Sequence, residues 1–182
     1  MNNCVIRISD LTKFYGKTRG IESLNLEISK GEIFRFLGPN GAGKSTTIRL
    51  LLNLLKPTSG SVQIFDKNIE RYYYKIFKSI GNIPGELQLY EELTGYYFLD
   101  YMNRFSHKAP VLVEELLDAF KLSQVDLDRK IKYYSKGMKQ KLGIIQALQE
   151  LPDLLIMDEP SEGLDPLNKN ILYQYLKRFK DK

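Results

Sequence analysis

The pattern of apolar and polar residues divides the chain into a strand-rich first part and a helix-rich second part. Short apolar runs predict strands at residues 5–9, 24–28, 32–37, 62–65 and 80–84. Periodic apolar residues predict a first helix that follows the glycine-rich segment and ends at about 55, and a second helix at 72–79. From about residue 91 the apolar residues recur with the helical period, at 96–105, 111–120 and 138–148. The pattern therefore predicts an α/β fold: a single domain whose mixed sheet core, residues 1–90 and 149–182, carries a helical insertion at 91–148.

A glycine-rich segment follows the apolar run at 32–37 and has the spacing G-x-x-x-x-G-K-S of a phosphate-binding loop. It reads Gly38, Pro39, Asn40, Gly41, Ala42, Gly43, Lys44, Ser45, Thr46. Glycines let successive backbone N–H groups close around phosphate oxygens, and the following helix N-terminus adds partial positive charge. We expect Lys44 to reach the terminal phosphates of a nucleotide and the Ser45 hydroxyl to ligate Mg²⁺.

Two acids end an apolar run later in the chain. Residues 154–157 are typical of a strand buried in a parallel sheet, and Asp158 and Glu159 follow at its carboxyl end, where ligands bind in open α/β folds. We expect Asp158 to hold Mg²⁺ and Glu159 to polarise the water that attacks the γ-phosphate. Taken without the phosphate loop, the pair would be equally consistent with solvated turn residues.

Composition and charge narrow the class of protein. The chain has 182 residues, a formal net charge of +5 and one cysteine, Cys4, so an internal disulfide is excluded and we expect Cys4 to pack on the first strand. No run of about 18 apolar residues predicts a membrane span, and the polar start is not a secretory signal, so we expect a cytoplasmic protein. Basic residues are spread along the chain, which indicates a solvated surface, and we expect no nucleic-acid partner.

Three further segments carry a family resemblance. Residues 134–141, with Ser135 and Gly137, resemble the signature motif of ATP-binding cassette (ABC) proteins, in a variant that has Lys136 and Met138 at two of its positions. Asp165, followed by a proline, resembles the D-loop of that family, and we expect it to cap the last helix. Tyr15 resembles the aromatic residue that stacks on adenine, although a tyrosine of the core would fit the same position.

The resemblance implies a P-loop NTPase fold with an N-terminal antiparallel β-subdomain and a helical subdomain. It also implies ATP and Mg²⁺ as ligands and a head-to-tail pair with a second ABC ATPase subunit, the same or different, in which Ser135 and Gly137 serve the partner's ATP. Integral membrane permease subunits would hold the chain at the cytoplasmic face of the membrane. An aromatic group in the insertion would either dock such a permease or form ordinary core; it comprises Tyr96, Tyr97, Phe98 and Tyr101.

These implications favour an ATPase that powers transport. The variant motifs resemble multidrug or antibiotic exporters. Two alternatives remain open, a soluble ABC ATPase outside transport and a truncated cassette that binds ATP without efficient hydrolysis. The soluble class would be favoured by a second phosphate loop or by a long heptad insertion between the motifs, and this sequence has neither.

Two positions depart from the family pattern. Gly85 lies where relatives have a glutamine at the Mg²⁺ site, and Glu86 or Gln88 would have to substitute for it. Arg35 interrupts the predicted strand at 32–37. If that strand is buried, the charge must snorkel, pair or weaken the domain, and Arg35→Gly should raise the thermal midpoint.

The switch histidine of the family is also missing. The only histidine, His107, falls in the helical insertion, where we expect it to face solvent. No strand is predicted after the last helix, at 166–179, although a crossover helix normally returns to a parallel strand. The sequence therefore predicts a chain truncated at its C-terminus that binds nucleotide and hydrolyses it poorly.

Overall fold

The computed structural model describes residues 3–39, 41–105 and 108–180. These residues form two compact units, one comprising residues 3–77 with Lys180 and the other residues 78–179. His107 lies outside the described residues, so its solvent-facing position stays a prediction. Within the described ranges, no helix combines the length and the apolar content that crossing a membrane requires.

Four antiparallel strands and two helices make up the first unit. They are β1 (Cys4–Tyr15), β2 (Thr18–Ser29), α1 (Lys44–Leu51), β3 (Ser59–Ile64), β4 (Lys67–Asn68) and α2 (Ile69–Phe77). The strands lie in the order β2-β1-β3-β4. The predicted strands at 5–9, 24–28 and 62–65 are confirmed in this sheet, the first two within longer strands of 12 residues each.

Cross-strand pairs of apolar residues fix the register of this sheet. On β1, Ile6 lies opposite Ile28 of β2 and Ile64 of β3, and all three side chains are buried. Between Ile6 and Ile8, Arg7 extends from the other face and its Nε donates to Glu27 at 2.8 Å. This alternation of apolar and charged residues is the period of a strand with one covered face.

Parallel strands and most of the helices make up the second unit. The elements are β5 (Ile80–Ile83), α3 (Gly95–Asn103), α4 (Val113–Phe120), α5 (Gln124–Leu127), a 3₁₀ turn (Ile131–Tyr133), α6 (Lys136–Leu148), β6 (Leu154–Met157) and α7 (Pro166–Lys180). The final residue of α7, Lys180, is grouped with the first unit. The helices predicted within the insertion correspond to α3, α4 and α6. Apolar residues of α4 and α6 supply much of the core, among them Leu116, Phe120, Leu142, Ile144, Ile145 and Leu148.

The two parallel strands place chemistry-bearing residues at one edge. Ile80 of β5 pairs with Leu154 of β6, and Ile83 pairs with Met157, so both strands end together. The Asp158 N–H continues the pairing by donating to the Ile83 carbonyl at 2.9 Å. Asp158 therefore lies at the carboxyl end of a parallel strand, as predicted.

One predicted strand is wrong. Residues 32–37 form no strand, because none of the described strands pairs with them, and a strand needs a neighbour for its backbone hydrogen bonds. Ile33, Phe34 and Leu37 are consequently exposed, Leu37 by 87%. Arg35 is exposed as well, so the expected burial of its charge is wrong and the reason for Arg35→Gly to raise the thermal midpoint disappears.

Candidate functional site

Glycine backbone conformations shape the loop before α1. Gly41 and Gly43 have φ values of 84° and 86°, in the left-handed region that favours glycine. A Cβ at Gly43 would also lie 2.3 Å from the Ile21 side chain and 2.8 Å from the Gly20 carbonyl oxygen. Position 43 therefore accepts only glycine, and the turn that starts α1 depends on it. Asn40 lies outside the described residues, so its predicted role stays a prediction.

The lysine of this loop is held by the loop itself. Its ammonium, Lys44 Nζ, donates to the carbonyls of Gly38 and Pro39 at 2.7 and 2.9 Å. Gly43, the N-cap residue of α1, has no side chain that could cap the helix, and the first turn contains no acid. A cation and a helix N-terminus without a capping side chain therefore lie in one short segment, an arrangement that fits the phosphate chain of a nucleotide.

Tyr15 lies close to the helix that follows the loop. The hydroxyls of Tyr15 and Thr46 are 3.4 Å apart, and the Tyr15 ring lies 5.5 Å from the Lys13 ammonium. The side chain is 45% exposed, so the alternative that Tyr15 is a core residue is wrong. The structure thus brings Tyr15 and Thr46 together in the first unit, and Ser45 and Ala42 lie exposed between Gly41 and Thr46.

The acid pair occupies the edge of the parallel strands in the second unit. Asp158 is partly buried, whereas Glu159 is exposed and has a φ of 48°. Positive φ is uncommon for a glutamate and indicates a backbone held by its surroundings. Gly85, at the end of β5, lies against Asp158, since a Cβ there would stand 3.2 Å from Asp158 Oδ2.

The signature segment begins α6. Ser135 is the N-cap residue, and its hydroxyl oxygen accepts from the Met138 N–H at 3.2 Å while its hydroxyl hydrogen stays available to donate. A Cβ at Gly137 would lie 3.0 Å from the Gly163 carbonyl, so α6 approaches the segment after Glu159 closely. Ser135 is exposed and Gly137 is partly exposed.

Asp165 caps α7 as predicted. Its Oδ1 accepts from the Asn168 N–H at 2.9 Å, and Pro166 is the first residue of the helix. Hydrogen bonds from the backbone and the side chain of Asn168 hold the pKa of the Asp165 carboxyl below its usual value. The carboxylate is therefore ionised and fixed in direction.

Some residues near the acid pair were not anticipated. Gln140 is buried on α6, and its Nε2 donates to the Pro160 carbonyl at 2.9 Å. Lys136 forms an ion pair with Glu162. No pattern in the sequence identified Pro160 as the partner of Gln140.

The predicted site residues fall in both units. The first holds Tyr15 and the phosphate loop, and the second holds Asp158, Glu159, Ser135, Gly137 and Asp165. Among the residues described, no group of three or more histidine, cysteine or acidic residues could hold a metal ion by itself.

Comparison with known proteins gives consistent findings. The family model described as ABC transporter matches residues 21–162. The chain is 42% identical, over 90% of its length, to the bacitracin transport ATP-binding protein of Bacillus licheniformis. It is 36% identical, over 97% of its length, to the lantibiotic transport ATP-binding protein of Streptococcus pyogenes.

Solved structures of ABC transporter ATP-binding proteins superpose on this chain. An ATP-binding subunit of an ABC transporter superposes with a TM-score of 0.89 at 31% identity, covering 97% of this chain and 75% of that one. A dimeric bacterial ABC transporter cassette gives 0.86 at 26% identity, covering 97% and 83%. These likenesses confirm the predicted α/β fold of a P-loop NTPase with an antiparallel β-subdomain. The chain spans about half the length of the bacitracin protein, 53%, and 75% of the lantibiotic protein.

Proposed function

The chain belongs to the ABC transporter family, and from this premise we propose that it binds ATP with Mg²⁺ and hydrolyses it to power transport across a membrane. The observation that carries the proposal is the loop before α1, where Lys44 lies at a helix N-terminus that has no capping side chain and no acid in its first turn. Such a segment binds the β- and γ-phosphates of a nucleotide. Tyr15, exposed beside Thr46, is available to stack on the adenine.

The chemistry follows from the other predicted residues. Ser45 and Asp158 would hold Mg²⁺, which neutralises charge on the β- and γ-phosphates when bound. Glu159 accepts a proton from the attacking water as the new bond to phosphorus forms, and ADP departs with the electron pair of the broken P–O bond. Ser135 and Gly137 would contact the γ-phosphate bound by a second ABC ATPase subunit, and Asp165 would lie at the same interface.

The proposed partners and location follow from the relatives. Proteins named for bacitracin and lantibiotic transport support an exporter of antibiotic-type compounds, with permease subunits that place the chain at the cytoplasmic face of the membrane. The same reasoning makes residues 1–90 and 149–182 the core of one ATP-binding domain and 91–148 its helical subdomain. A permease contact on α3 would use the exposed Tyr96 and Tyr97; Phe98, by contrast, is buried in the core, and Tyr101 is partly buried.

The test measures ATP binding and hydrolysis by the purified chain over a range of protein concentrations. Lys44→Ala should weaken ATP binding, because it removes the cation that faces the phosphates, while the exposed Lys17→Ala serves as control. Glu159→Gln should preserve binding and lower hydrolysis by roughly 10²–10⁴-fold, with the exposed Glu114→Gln as control.

The outcomes separate the candidate functions. Hydrolysis that depends on Glu159 and rises more than linearly with concentration supports a working dimer. Tight binding without turnover would favour the cassette that only binds ATP. Unchanged affinity in Lys44→Ala would contradict the proposed nucleotide site altogether.

A further inference from the structure

A buried amide side chain holds the turn that follows the acid pair. Gln140 lies on α6 and is 8% exposed, and its Nε2 donates to the carbonyl of Pro160 at 2.9 Å. Pro160 is the residue immediately after Glu159. Because the Gln140 side chain is buried, leaving its amide N–H without an acceptor would be costly.

The turn itself is in a conformation that needs support. Glu159 has a φ of 48°, and its carbonyl accepts from the Glu162 N–H at 3.0 Å, which closes a turn over 159–162. A glutamate in the left-handed region costs roughly 1 kcal/mol or more relative to an ordinary conformation. Contacts from outside the turn must therefore stabilise it.

The start of α6 supplies two more contacts to the same turn. Lys136 pairs with Glu162, and Gly137 approaches the carbonyl of Gly163 so closely that a Cβ would lie 3.0 Å from it. Lys136 and Gly137 lie one helical turn before Gln140, on the same face of α6. The Lys136 and Glu162 side chains are exposed by 71% and 47%, so this pair contributes little by itself, and the buried Gln140 contact dominates.

We propose that Gln140 is a positioning residue for Glu159: by holding the Pro160 carbonyl it fixes the turn that presents the Glu159 carboxylate. The inference rests on the proposed role of Glu159 in ATP hydrolysis. Gln140 is buried and acts through the backbone of the acid turn, by its hydrogen bond to the Pro160 carbonyl. Loss of its N–H donor should therefore lower the rate of hydrolysis while leaving ATP affinity unchanged.

A change of one atom tests this role. Gln140→Glu keeps the size of the side chain, but an ionised carboxylate cannot donate to Pro160, whereas a protonated carboxyl can. Burial against a carbonyl raises the pKa of such a carboxyl, so the hydrogen bond should return as the pH falls. Gln140→Met also keeps the size and burial and has no donor at any pH.

The charged groups that face position 140 must be considered in a pH profile. Lys136 lies on the preceding turn of α6 and pairs with Glu162 of the opposite turn, and Glu159 precedes Pro160, which accepts the Gln140 hydrogen bond. The flanking lysines face elsewhere, since Lys139 pairs with Glu91 and Lys141 donates to the Phe120 carbonyl. All of them are shared by every variant, so differences between variants isolate position 140.

The measurement is hydrolysis of a single prebound ATP with Mg²⁺, from about pH 6 to about pH 8.5, together with ATP affinity and thermal midpoint. Gln140→Glu should be roughly tenfold to a hundredfold slower than the unsubstituted chain at the high pH and recover toward it at the low pH. Gln140→Met should be slow throughout. Gln146→Glu, on the same helix and partly exposed, is the matched control and should keep the original profile.

Hydrogen exchange supplies a readout that does not need turnover. The amide of Glu162, bonded to the Glu159 carbonyl, should exchange faster in Gln140→Met, while amides of α4 stay unchanged. If the unsubstituted chain hydrolyses ATP and Gln140→Glu matches it at every pH, the inference is overturned and the proposed function stands. If the unsubstituted chain does not hydrolyse ATP, the proposed function loses its catalytic step, and unchanged exchange at Glu162 would overturn the inference separately.

Discussion

The backbone of Gly85 lies against the carboxylate of Asp158, so that a Cβ at Gly85 would stand 3.2 Å from Oδ2 and 3.3 Å from Cγ. The two residues follow the neighbouring parallel strands β5 and β6, which end at the same edge. The resemblance to ABC proteins places a glutamine at position 85, near the Mg²⁺ site. In this chain the position offers no side chain, and any side chain would crowd the acid proposed to hold the metal.

We predict that Gly85→Ala weakens the binding of Mg²⁺, so that a higher Mg²⁺ concentration is needed to support ATP binding. The added Cβ shifts the Asp158 carboxylate by a few tenths of an ångström, and displacing a metal ligand through its neighbours typically costs about tenfold in metal affinity. Titration of Mg²⁺ against a fluorescent ATP analogue should therefore show a midpoint raised by roughly that factor.

The control for this prediction is binding in the presence of a chelator. Without Mg²⁺, Gly85→Ala and the unsubstituted chain should bind the analogue equally, because the phosphate loop is unaltered. An unchanged Mg²⁺ midpoint would show that Asp158 can move aside without loss, or that it does not hold the metal.

Gly81 provides a test of close packing between β5 and α6. A Cβ at Gly81 would lie 2.2 Å from the Ala147 carbonyl oxygen and 2.7 Å from the Leu155 side chain. Because the carbonyl belongs to a helix backbone, it cannot rotate away, and we expect Gly81→Ala to lower the free energy of unfolding by about 3 kcal/mol. Urea denaturation measures the loss.

Gly16→Ala is the matched comparison for that substitution. Gly16 has no atom within 4 Å of its ideal Cβ position, but its φ is 60°. We expect only the conformational cost of about 1 kcal/mol there. Equal losses at the two positions would mean that contact with α6 is not the cause.

Local sequence signals predicted much of this fold. The Asp165 cap, the glycine conformations of the phosphate loop and the helical period of α4 and α6 each depend on residues close in sequence. These features are present because short-range hydrogen bonds and periodic burial determine them.

Features that depend on distant segments were not predicted correctly. Residues 32–37 have the apolar content of a buried strand, yet strand formation requires a partner, and the sequence of the segment does not supply one. The approach of Gln140 to Pro160 likewise joins segments 20 residues apart. Gly85 and Asp158 are 73 residues apart, and only the family resemblance, not a local pattern, placed both at one site. Sequence patterns identified Asp158 and Glu159 but not Gln140, which holds the turn that follows them.

Gln149 leads to a prediction about stability. Its side chain is 1% exposed, and neither Oε1 nor Nε2 has a hydrogen-bond partner among the described residues. The backbone contacts of the residue do not involve the side chain, since its carbonyl accepts from the Leu112 N–H at 3.0 Å. We expect Gln149→Met, which keeps the length of the side chain, to stabilise the protein by roughly 1–3 kcal/mol.

Calorimetry should record this gain as a higher thermal midpoint. The control is Gln146→Met, in the last turn of α6 just before Gln149, where the side chain is partly exposed and the change should be small. A lower midpoint for Gln149→Met would mean that the amide finds partners in solution that offset its burial.

Tyr134 links stability to pH in the alkaline range. Its hydroxyl donates to the Asp126 carbonyl at 2.7 Å, and burial raises the pKa of Tyr134 to about 12. Because an unfolded tyrosine ionises near pH 10, the stabilisation from the raised pKa is fully present below about pH 10 and is lost as the pH approaches 12.

Tyr134→Phe lacks this ionisation and, near neutral pH, should be less stable by about 1 kcal/mol through the lost hydrogen bond. Urea denaturation of both proteins should show the difference narrowing between about pH 10 and pH 12, while tyrosines and lysines common to both cancel. A difference that stays constant over this range would mean that the Tyr134 hydroxyl ionises as readily in the folded protein as in the unfolded one.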